Sequence, residues 1–376
     1  MGRRFAAALS EHPVTAHAVG EVAGHLLDAV GEEPDLVTVF VTPPHAGALE
    51  DVASALDTIL RPRTLVGCAA VSVVGESREV EEDPAVVAWA GRVGPVTPVR
   101  LDDAATALPP TEGGPSALLL IGDPFSFDAD GFFALLAASH PGLPVLGGMA
   151  SAARGPGGNR LVLNGQVFTD GAVGVLLGDG VPIASVVSQG CRPIGQPYVV
   201  TRAERNAVYE LAGQPAYERL VDLARTSLDE HELELVNRGL HLGLVIDEHK
   251  TEFGRGDFLV RNVIGADAEH GVIGVNDIVE VGTTVQYHVR DAATADEDLR
   301  ALLGGRQAEA ALVFTCNGRG LRLFGTRHHD ARVVADALDD PAAAGFFAAG
   351  EFGPVGGRNF VHGFTASLVL FGHPPG

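Results

Sequence analysis

Apolar positions in this chain recur in a fixed order: a β-type run, a stretch with helical spacing, then a second β-type run ending in glycine plus one variable residue. The first copy is Asp35-Leu36-Val37-Thr38-Val39-Phe40-Val41, a periodic segment over 46–60, and Thr64-Leu65-Val66-Gly67-Cys68-Ala69. The second is Ala117-Leu118-Leu119-Leu120-Ile121-Gly122, a helical segment over 129–139, a His140-Pro141-Gly142 turn, and Pro144-Val145-Leu146-Gly147-Gly148-Met149-Ala150. The third begins at Ala311-Leu312-Val313-Phe314-Thr315-Cys316 and passes through a helix over 331–338. It ends at Phe346-Phe347-Ala348-Ala349-Gly350-Glu351-Phe352. Short runs rich in Val, Ile and Phe favour strands, and i, i+3, i+4 spacing favours helices. Further extended runs at 85–92, 171–178 and 360–370 complete a β-α-β-loop-β unit in each copy. On this alignment Cys68, Gly148 and Glu351 hold matching places, and a repeated unit implies one shared architecture.

Between the copies, apolar spacing predicts a helix over 14–30, which Gly31-Glu32-Glu33-Pro34 stops. A Pro- and Thr-rich connector covers 93–114, and a second connection covers 201–214. Pro215 opens a helix over 216–225, where its missing N–H costs nothing. Strands follow at 241–246, 258–264 and 277–289, then a charged helix over 295–303. The division expected is an N-terminal helical segment 1–30, a first domain 31–213 and a second domain 214–376. Several strands are joined by short loops, so the fold class expected is α/β to α+β. It consists of two related domains of repeated units, with mixed sheets flanked by helices.

Composition narrows the function. A chain of 376 residues, 46% hydrophobic and 20% charged, can bury two ordinary cores. Its net charge of −22 argues against a nucleic-acid backbone and against an anionic membrane surface as partners. No apolar run approaches the ~20 residues of a spanning helix. The basic start at Arg3-Arg4 is followed by an apolar stretch that Ser10-Glu11-His12-Pro13 ends too early for a secretory leader. The expected location is therefore the cytoplasm. Cys68, Cys191 and Cys316 are scattered and form no Cys-x-x-Cys pair, so neither a disulfide framework nor a thiolate metal site is expected.

Candidate chemistry lies mainly in the third copy. Thr315-Cys316-Asn317-Gly318-Arg319-Gly320 stands where a buried strand meets a turn, and α/β folds place ligands outside such strand ends. Arg319 there suits a bidentate carboxylate contact, or else is a solvated arginine on an Asn-Gly turn. Gly350-Glu351-Phe352-Gly353-Pro354-Val355-Gly356-Gly357-Arg358-Asn359 reads either as a loop approaching a ligand or as a hairpin in which Glu351 and Arg358 pair. The glycines at 67 and 147–148 fit close sheet packing as well as room for a ligand. His328-His329-Asp330 reads as a solvated helix start capped by Asp330, since adjacent histidines on a loop chelate poorly. No metal ligand set, phosphate loop or Gly-x-Ser-x-Gly elbow is present.

The segments Leu65-Val66-Gly67-Cys68-Ala69, Leu146-Gly147-Gly148-Met149-Ala150, Gly195-Gln196-Pro197-Tyr198, Leu211-Ala212-Gly213-Gln214-Pro215, Phe258-Leu259-Val260-Arg261-Asn262, Val313-Phe314-Thr315-Cys316-Asn317-Gly318-Arg319 and Ala349-Gly350-Glu351-Phe352-Gly353-Pro354 occur in series. In that order the chain resembles the FIST family, with an N-terminal and a C-terminal FIST domain. The resemblance implies an intracellular sensory module that binds a small ligand such as an amino acid. Family members accompany signalling domains in bacteria and an F-box in eukaryotes. Here nearly every residue belongs to the FIST regions, so any output is expected to pass through a separate signalling protein or through the chain's own surface.

The ligand-binding residues expected are Cys68, Gly148, Cys316, Asn317, Arg319, Glu351 and Arg358, with no cofactor and no catalytic residue. For an amino acid, Glu351 would meet the ammonium, and Arg319 or Arg358 the carboxylate. Two other readings stay open. One is an enzyme with Cys316 or Cys68 as nucleophile or Glu351 as acid/base; the other is a protein-interaction module without a small ligand.

Overall fold

The computed structural model describes residues 3–111, 113–226 and 228–372. Its mixed α/β content and repeated units match the expected fold class. The first copy consists of β1 (Phe5–Ser10), α1 (Thr15–Val30), β2 (Leu36–Val41), a short α2 (Pro43–Ala46), α3 (Leu49–Leu60), β3 (Thr64–Ala69), β4 (Ser72–Gly75), β5 (Arg78–Glu81) and β6 (Val86–Gly91). The second runs through β7 (Val96–Leu101), β8 (Pro115–Gly122), α4 (Ala129–Ser139), β9 (Val145–Met149), β10 (Leu161–Leu163), β11 (Gln166–Phe168) and β12 (Ala172–Gly178).

The third copy starts with β13 (Ile183–Gln189), and there the chain enters a separate compact unit, Gln189–Asp298. That unit holds β14 (Cys191–Glu204), β15 (Ala207–Leu211), β16 (Gln214–Pro215), α5 (Ala216–Thr226), α6 (Glu230–Arg238), β17 (Leu240–Val245), β18 (Phe258–Asp267), β19 (Val272–Val275) and β20 (Thr284–Arg290), followed by the start of α7 (Ala292–Leu303). The third copy then resumes with β21 (Ala310–Cys316), α8 (Leu321–Phe324), α9 (His329–Leu338), β22 (Ala342–Ala348), β23 (Glu351–Val355), β24 (Arg358–His362) and β25 (Thr365–Phe371). By compactness the chain forms two units, 1–188 with 299–376, and 189–298. All three copies belong to the first unit.

Three sheets of that unit share one plan. Their orders are β1-β6-β2-β3-β10-β11, β7-β12-β8-β9-β23-β24 and β13-β25-β21-β22-β4-β5. In each, a parallel pair joined across a helix lies at the centre, with the copy's last strand antiparallel beside it. What the sequence shows as a loop after each second strand is a hairpin that leaves its own sheet and pairs with another copy's: β4–β5 with β22, β10–β11 with β3, β23–β24 with β9. The exchange makes each sheet depend on two copies.

One face of each sheet meets a central apolar core that includes Phe40, Cys68, Trp89, Leu146, Phe314 and Phe346. The opposite faces are covered by helices. Val22 and Leu26 of α1 with Val52 and Leu56 of α3 cover the first sheet, Phe132 and Phe133 of α4 the second, and Leu299 of α7 with Val334 of α9 the third. In the inserted unit a seven-stranded sheet packs around Leu223, Leu235, Leu242 and Tyr287.

The repeated glycine has a packing cause. A Cβ on Gly67, Gly147 or Gly345 would lie 1.9, 2.0 or 1.7 Å from the carbonyl oxygen of Val39, Leu120 or Val313 on the parallel partner strand. Only glycine fits that approach. The third Gly-X element is therefore Gly345-Phe346, and the alignment that placed Glu351 beside Cys68 and Gly148 is corrected. Glu351 belongs to the exchanged hairpin.

Candidate functional site

Strand register identifies one equivalent position in all three copies, three residues after the Val39, Leu120 or Val313 that pairs with the repeated glycine. It is Thr42, whose N–H bonds Ala85 O; Asp123, whose N–H bonds Gly171 O; and Cys316, which follows the Thr315↔Ala366 pair. Three residues on, a turn closes from His45, Ser126 or Arg319 N–H back to the carbonyl of that residue, at 2.9, 3.3 and 2.8 Å. The backbone repeats while its side chains differ. At the first end Thr42 Oγ1 accepts from Ala85 N–H at 2.7 Å and His45 Nδ1 meets Thr15 Oγ1 at 2.8 Å. At the second, Asp123 accepts from Ser126 Oγ at 2.6 Å and Asn159 Nδ2 at 2.8 Å.

The third end holds a denser set of charges. Arg319 is wholly buried, donating from Nε to Asp330 Oδ2 at 2.7 Å and from Nη2 to Asp330 Oδ1 at 2.9 Å. Thr315 Oγ1 donates to the same carboxylate at 2.6 Å, and His329 Nδ1 lies 3.0 Å from it. Burial acts to raise the Asp330 carboxyl, but Arg319 beside it prevails and holds it well below the ordinary range. Asp330 is thus a buried counter-ion in the first turn of α9. The helix is preceded by His328 in a left-handed conformation, φ 65°, so the expectation of Asp330 as a solvated cap is corrected.

Two exchanged hairpins each bring a glutamate. From β5, Glu79 accepts Ala331 N–H at 3.0 Å through Oε1; from β23, Glu351 accepts Thr365 N–H at 3.1 Å and Thr365 Oγ1 at 2.8 Å through Oε2. The other oxygen of each, and Nη1 of Arg319, are buried without a hydrogen-bond partner among the described residues. Burial pushes the Glu351 carboxyl up to about 8, against the opposing pull of Thr365, Arg319 and the nearby Cys316 thiol. Glu79 is also raised, by burial first and by the Asp330 charge second. Both acids are therefore largely protonated at neutral pH, leaving Arg319 and Asp330 as the balanced ion pair.

Register shows how unusual these glutamates are. Glu351 pairs with Gly148 on the strand where the other hairpins put Leu161 opposite Cys68 and Val73 opposite Phe346. Glu79 faces Val74 where the other hairpins put Val167 opposite Val162 and Val361 opposite Phe352. Two apolar positions of the repeat have thus become acids, both beside the one strand end that carries Arg319. Packing does not require them.

Of the expected residues, the structure brings together Cys316, Arg319 and Glu351, with Gly148 as backbone neighbour of Glu351 and exposed Asn317 next to Cys316. It leaves two apart. Cys68 is fully buried in the central apolar core, where desolvation pushes its thiol up. Arg358 sits at the exposed hairpin tip over the Phe360 ring, pairing with Val355, while Glu351 pairs with His362 at the far end, ~13 Å away at strand rise. The Glu351–Arg358 pairing is thereby excluded. Asp330, Glu79 and Thr365 are the site members that local sequence reading missed.

Gly148 also fixes the hairpin's approach, since an added Cβ would lie 2.8 Å from Gly350 O and 2.9 Å from Ala348 Cβ. Gly148→Ala is expected to cost ~1–3 kcal/mol by overpacking, measured by urea unfolding. An unchanged midpoint would show that β9 and β23 can part at no cost.

A cleft of about 620 Å³, lined by residues including Arg4, His25, Glu76, Glu309 and Asp340, includes Ala342 in its wall. Ala342 begins β22, and Cys316 pairs with Ala348 at its other end, so this cleft is distant from the cluster. Among the described residues no group of three or more His, Cys, Asp or Glu could hold a metal ion, and no helix is long and apolar enough to cross a membrane.

Fold and cluster together define a three-copy α/β protein with a charged strand-end site built by exchanged hairpins. The chain belongs to the FIST family: the FIST N domain matches residues 35–214 and the FIST C domain residues 215–354. FIST domains are associated with sensory signal transduction and ligand binding. The chain is similar to an uncharacterized protein of Mycobacterium tuberculosis, 41% identical over 389 residues, covering 98% of this chain and 99% of the relative. It is likewise similar to an uncharacterized protein of Mycobacterium bovis, 41% identical over 383 residues, with 96% of each covered.

Proposed function

We propose that this chain is a sensory module whose small polar ligand binds at the third strand end, between Arg319 and Glu351. The observation that carries the reading is the pair of fully buried side chains with one unpartnered polar atom each, Arg319 Nη1 and Glu351 Oε1. Leaving such an atom unsatisfied costs ~1–3 kcal/mol, and more when it is charged. A ligand that accepts from Nη1 and from the protonated Glu351 carboxyl recovers that cost. A carboxylate or carbonyl compound has the matching acceptors. An α-amino acid also fits, because its ammonium would favour the ionised form of Glu351 while its carboxylate meets Arg319.

Cys316 and Asn317 would form the outer edge of the site and Gly148 its floor, with Arg358 acting only as a charge at the hairpin tip. Arg319 lies under Phe324, whose ring stacks on His329 at 3.4 Å between centroids. Ligand entry then requires this cover to open, and the difference between open and covered states is what a separate signalling partner would read. Cys68, Cys191 and Cys316 are thiols and not disulfide-bonded, which suits a reducing compartment, and we place the protein in the cytoplasm.

The test is a thermal-shift screen with free amino acids and small carboxylates on wild type and Glu351→Gln. A true ligand at a hundred times its dissociation constant adds ~2.7 kcal/mol to wild-type stability. That gain should shrink in Glu351→Gln and survive in Arg358→Gln. No stabilisation by any member, or equal stabilisation of all three proteins, would count against the reading.

A further inference from the structure

We propose that Cys316 is a hydroperoxide-reactive thiol, served by Glu351 as proton carrier and by Arg319 as the positive charge beside it. The inference shares the cluster with the ligand reading but does not rest on it. Among equivalent strand ends only the third carries sulfur, where the others have Thr42 and Asp123. Cys316 is also the most accessible of the three cysteines, 8% exposed against 0% for Cys68 and 1% for Cys191. It adjoins the exposed Asn317.

A reactive thiol needs a stabilised thiolate and a group that moves its proton. Arg319 supplies fixed charge: two of its nitrogens are locked on Asp330, which holds the guanidinium in place and leaves Nη1 without a partner. Its electrostatic neighbours include both Cys316 and Glu351. Glu351 is anchored through Oε2 by Thr365, so Oε1 remains for the thiol and for an incoming oxygen. The Glu351 carboxyl is raised to about 8 by burial, so its protonated and ionised forms are both populated near neutral pH.

The step balances with a hydroperoxide as oxidant. In the fraction of molecules whose Glu351 is ionised, its carboxylate takes the thiol proton, and the thiolate sulfur attacks the terminal oxygen of the hydroperoxide. An S–O bond forms, the O–O bond breaks, and the departing alkoxide or hydroxide takes the proton back from Glu351. Sulfur is oxidised to the sulfenic acid, and the peroxide is reduced to an alcohol or water. Nη1 of Arg319 donates to the peroxide oxygens as negative charge moves onto the leaving one.

The full chain is treated with hydrogen peroxide and a dimedone-type probe, and the labelled peptides are read by mass spectrometry. Labelling is expected at Cys316, at a rate roughly tenfold or more above N-acetylcysteine at the same pH. Cys316→Ser should abolish it, and Cys68→Ser should leave it intact. Glu351→Gln should slow labelling on the order of a hundredfold while ligand-free unfolding stays cooperative. Labelling no faster than the free thiol, labelling at another cysteine, or an unaltered rate in folded Glu351→Gln overturns the proposal. Should Glu351→Gln fail to fold, the wild-type rate and site decide alone. A thermal-shift response without peroxide reactivity would leave ligand binding standing and sink only this inference.

Discussion

Asp330→Ala is expected to destabilise the protein by about 3–5 kcal/mol, the cost of leaving a buried charge without its partner. Arg319 is 0% exposed and loses both of its hydrogen bonds to Asp330 in this variant. Thr315 Oγ1 loses its acceptor as well. No solvent reaches the guanidinium to compensate. Urea unfolding near neutral pH measures the loss, and Asp330→Asn, which keeps one acceptor oxygen, should cost less. The double variant Arg319→Met with Asp330→Leu removes both charges together and should recover much of the stability, because an apolar pair carries no desolvation cost. A loss for Asp330→Ala near the ~0–1 kcal/mol of an exposed pair would mean that water reaches Arg319 and that the site is open. The same pair has an acid limit. Asp330 is held below its ordinary value, so its contribution is present above that value and disappears as pH falls through the lowered one.

The repeat was legible because its strands are Val- and Leu-rich and its glycines sit at a constant offset from them. The third copy was misaligned at its second strand. Ala342-Ala343-Ala344-Gly345 lacks the branched side chains that mark a strand, so the eye passes to Phe346-Phe347 and takes Gly350 for the repeated glycine. Hairpin exchange was not legible, since period-two alternation tells which face a residue presents and not which sheet receives it. The inserted unit was hidden for a similar reason: β17, β18 and β20 alternate like any other strands, and nothing local says that 189–298 folds around its own core.

Cys316, Arg319 and Glu351 were visible as strand-end and hairpin residues. Their partners were not. Asp330 follows two histidines and passes for a solvated helix start, while Glu79 and Thr365 arrive from β5 and β25. A charge-balance rule would have helped with one of them. An arginine soon after a buried strand either reaches solvent or has an acid nearby; the short α8 carries none, and Asp330 in the first turn of α9 is the first acid to follow.

Stability is expected to fall as pH rises from about 6.5 to 8, because two buried carboxyls must give up protons they hold more tightly folded than unfolded. Glu351 is raised from 4.5 to about 8 by burial, and Glu79 is raised by burial and by Asp330. Between the unfolded and folded values the native state binds the extra proton. A raised carboxyl therefore adds stability that is complete below its ordinary value and gone above the raised one. The slope is ~1.4 kcal/mol per pH unit for each fully titrating group.

Buried histidines work in the opposite sense, but lower down. His45, His241 and His288 are all lowered from 6.5, chiefly by burial, so the stability they add as pH rises is nearly complete by that point. The interval above it belongs mainly to the glutamates. Urea unfolding of wild type and Glu351→Gln across this interval separates the terms. The wild-type curve should descend more steeply, by up to ~1.4 kcal/mol per unit, and the variant should be the more stable protein near the top of the range. Parallel curves would mean that Glu351 is already ionised when folded. A ligand ammonium would then meet a carboxylate from the outset.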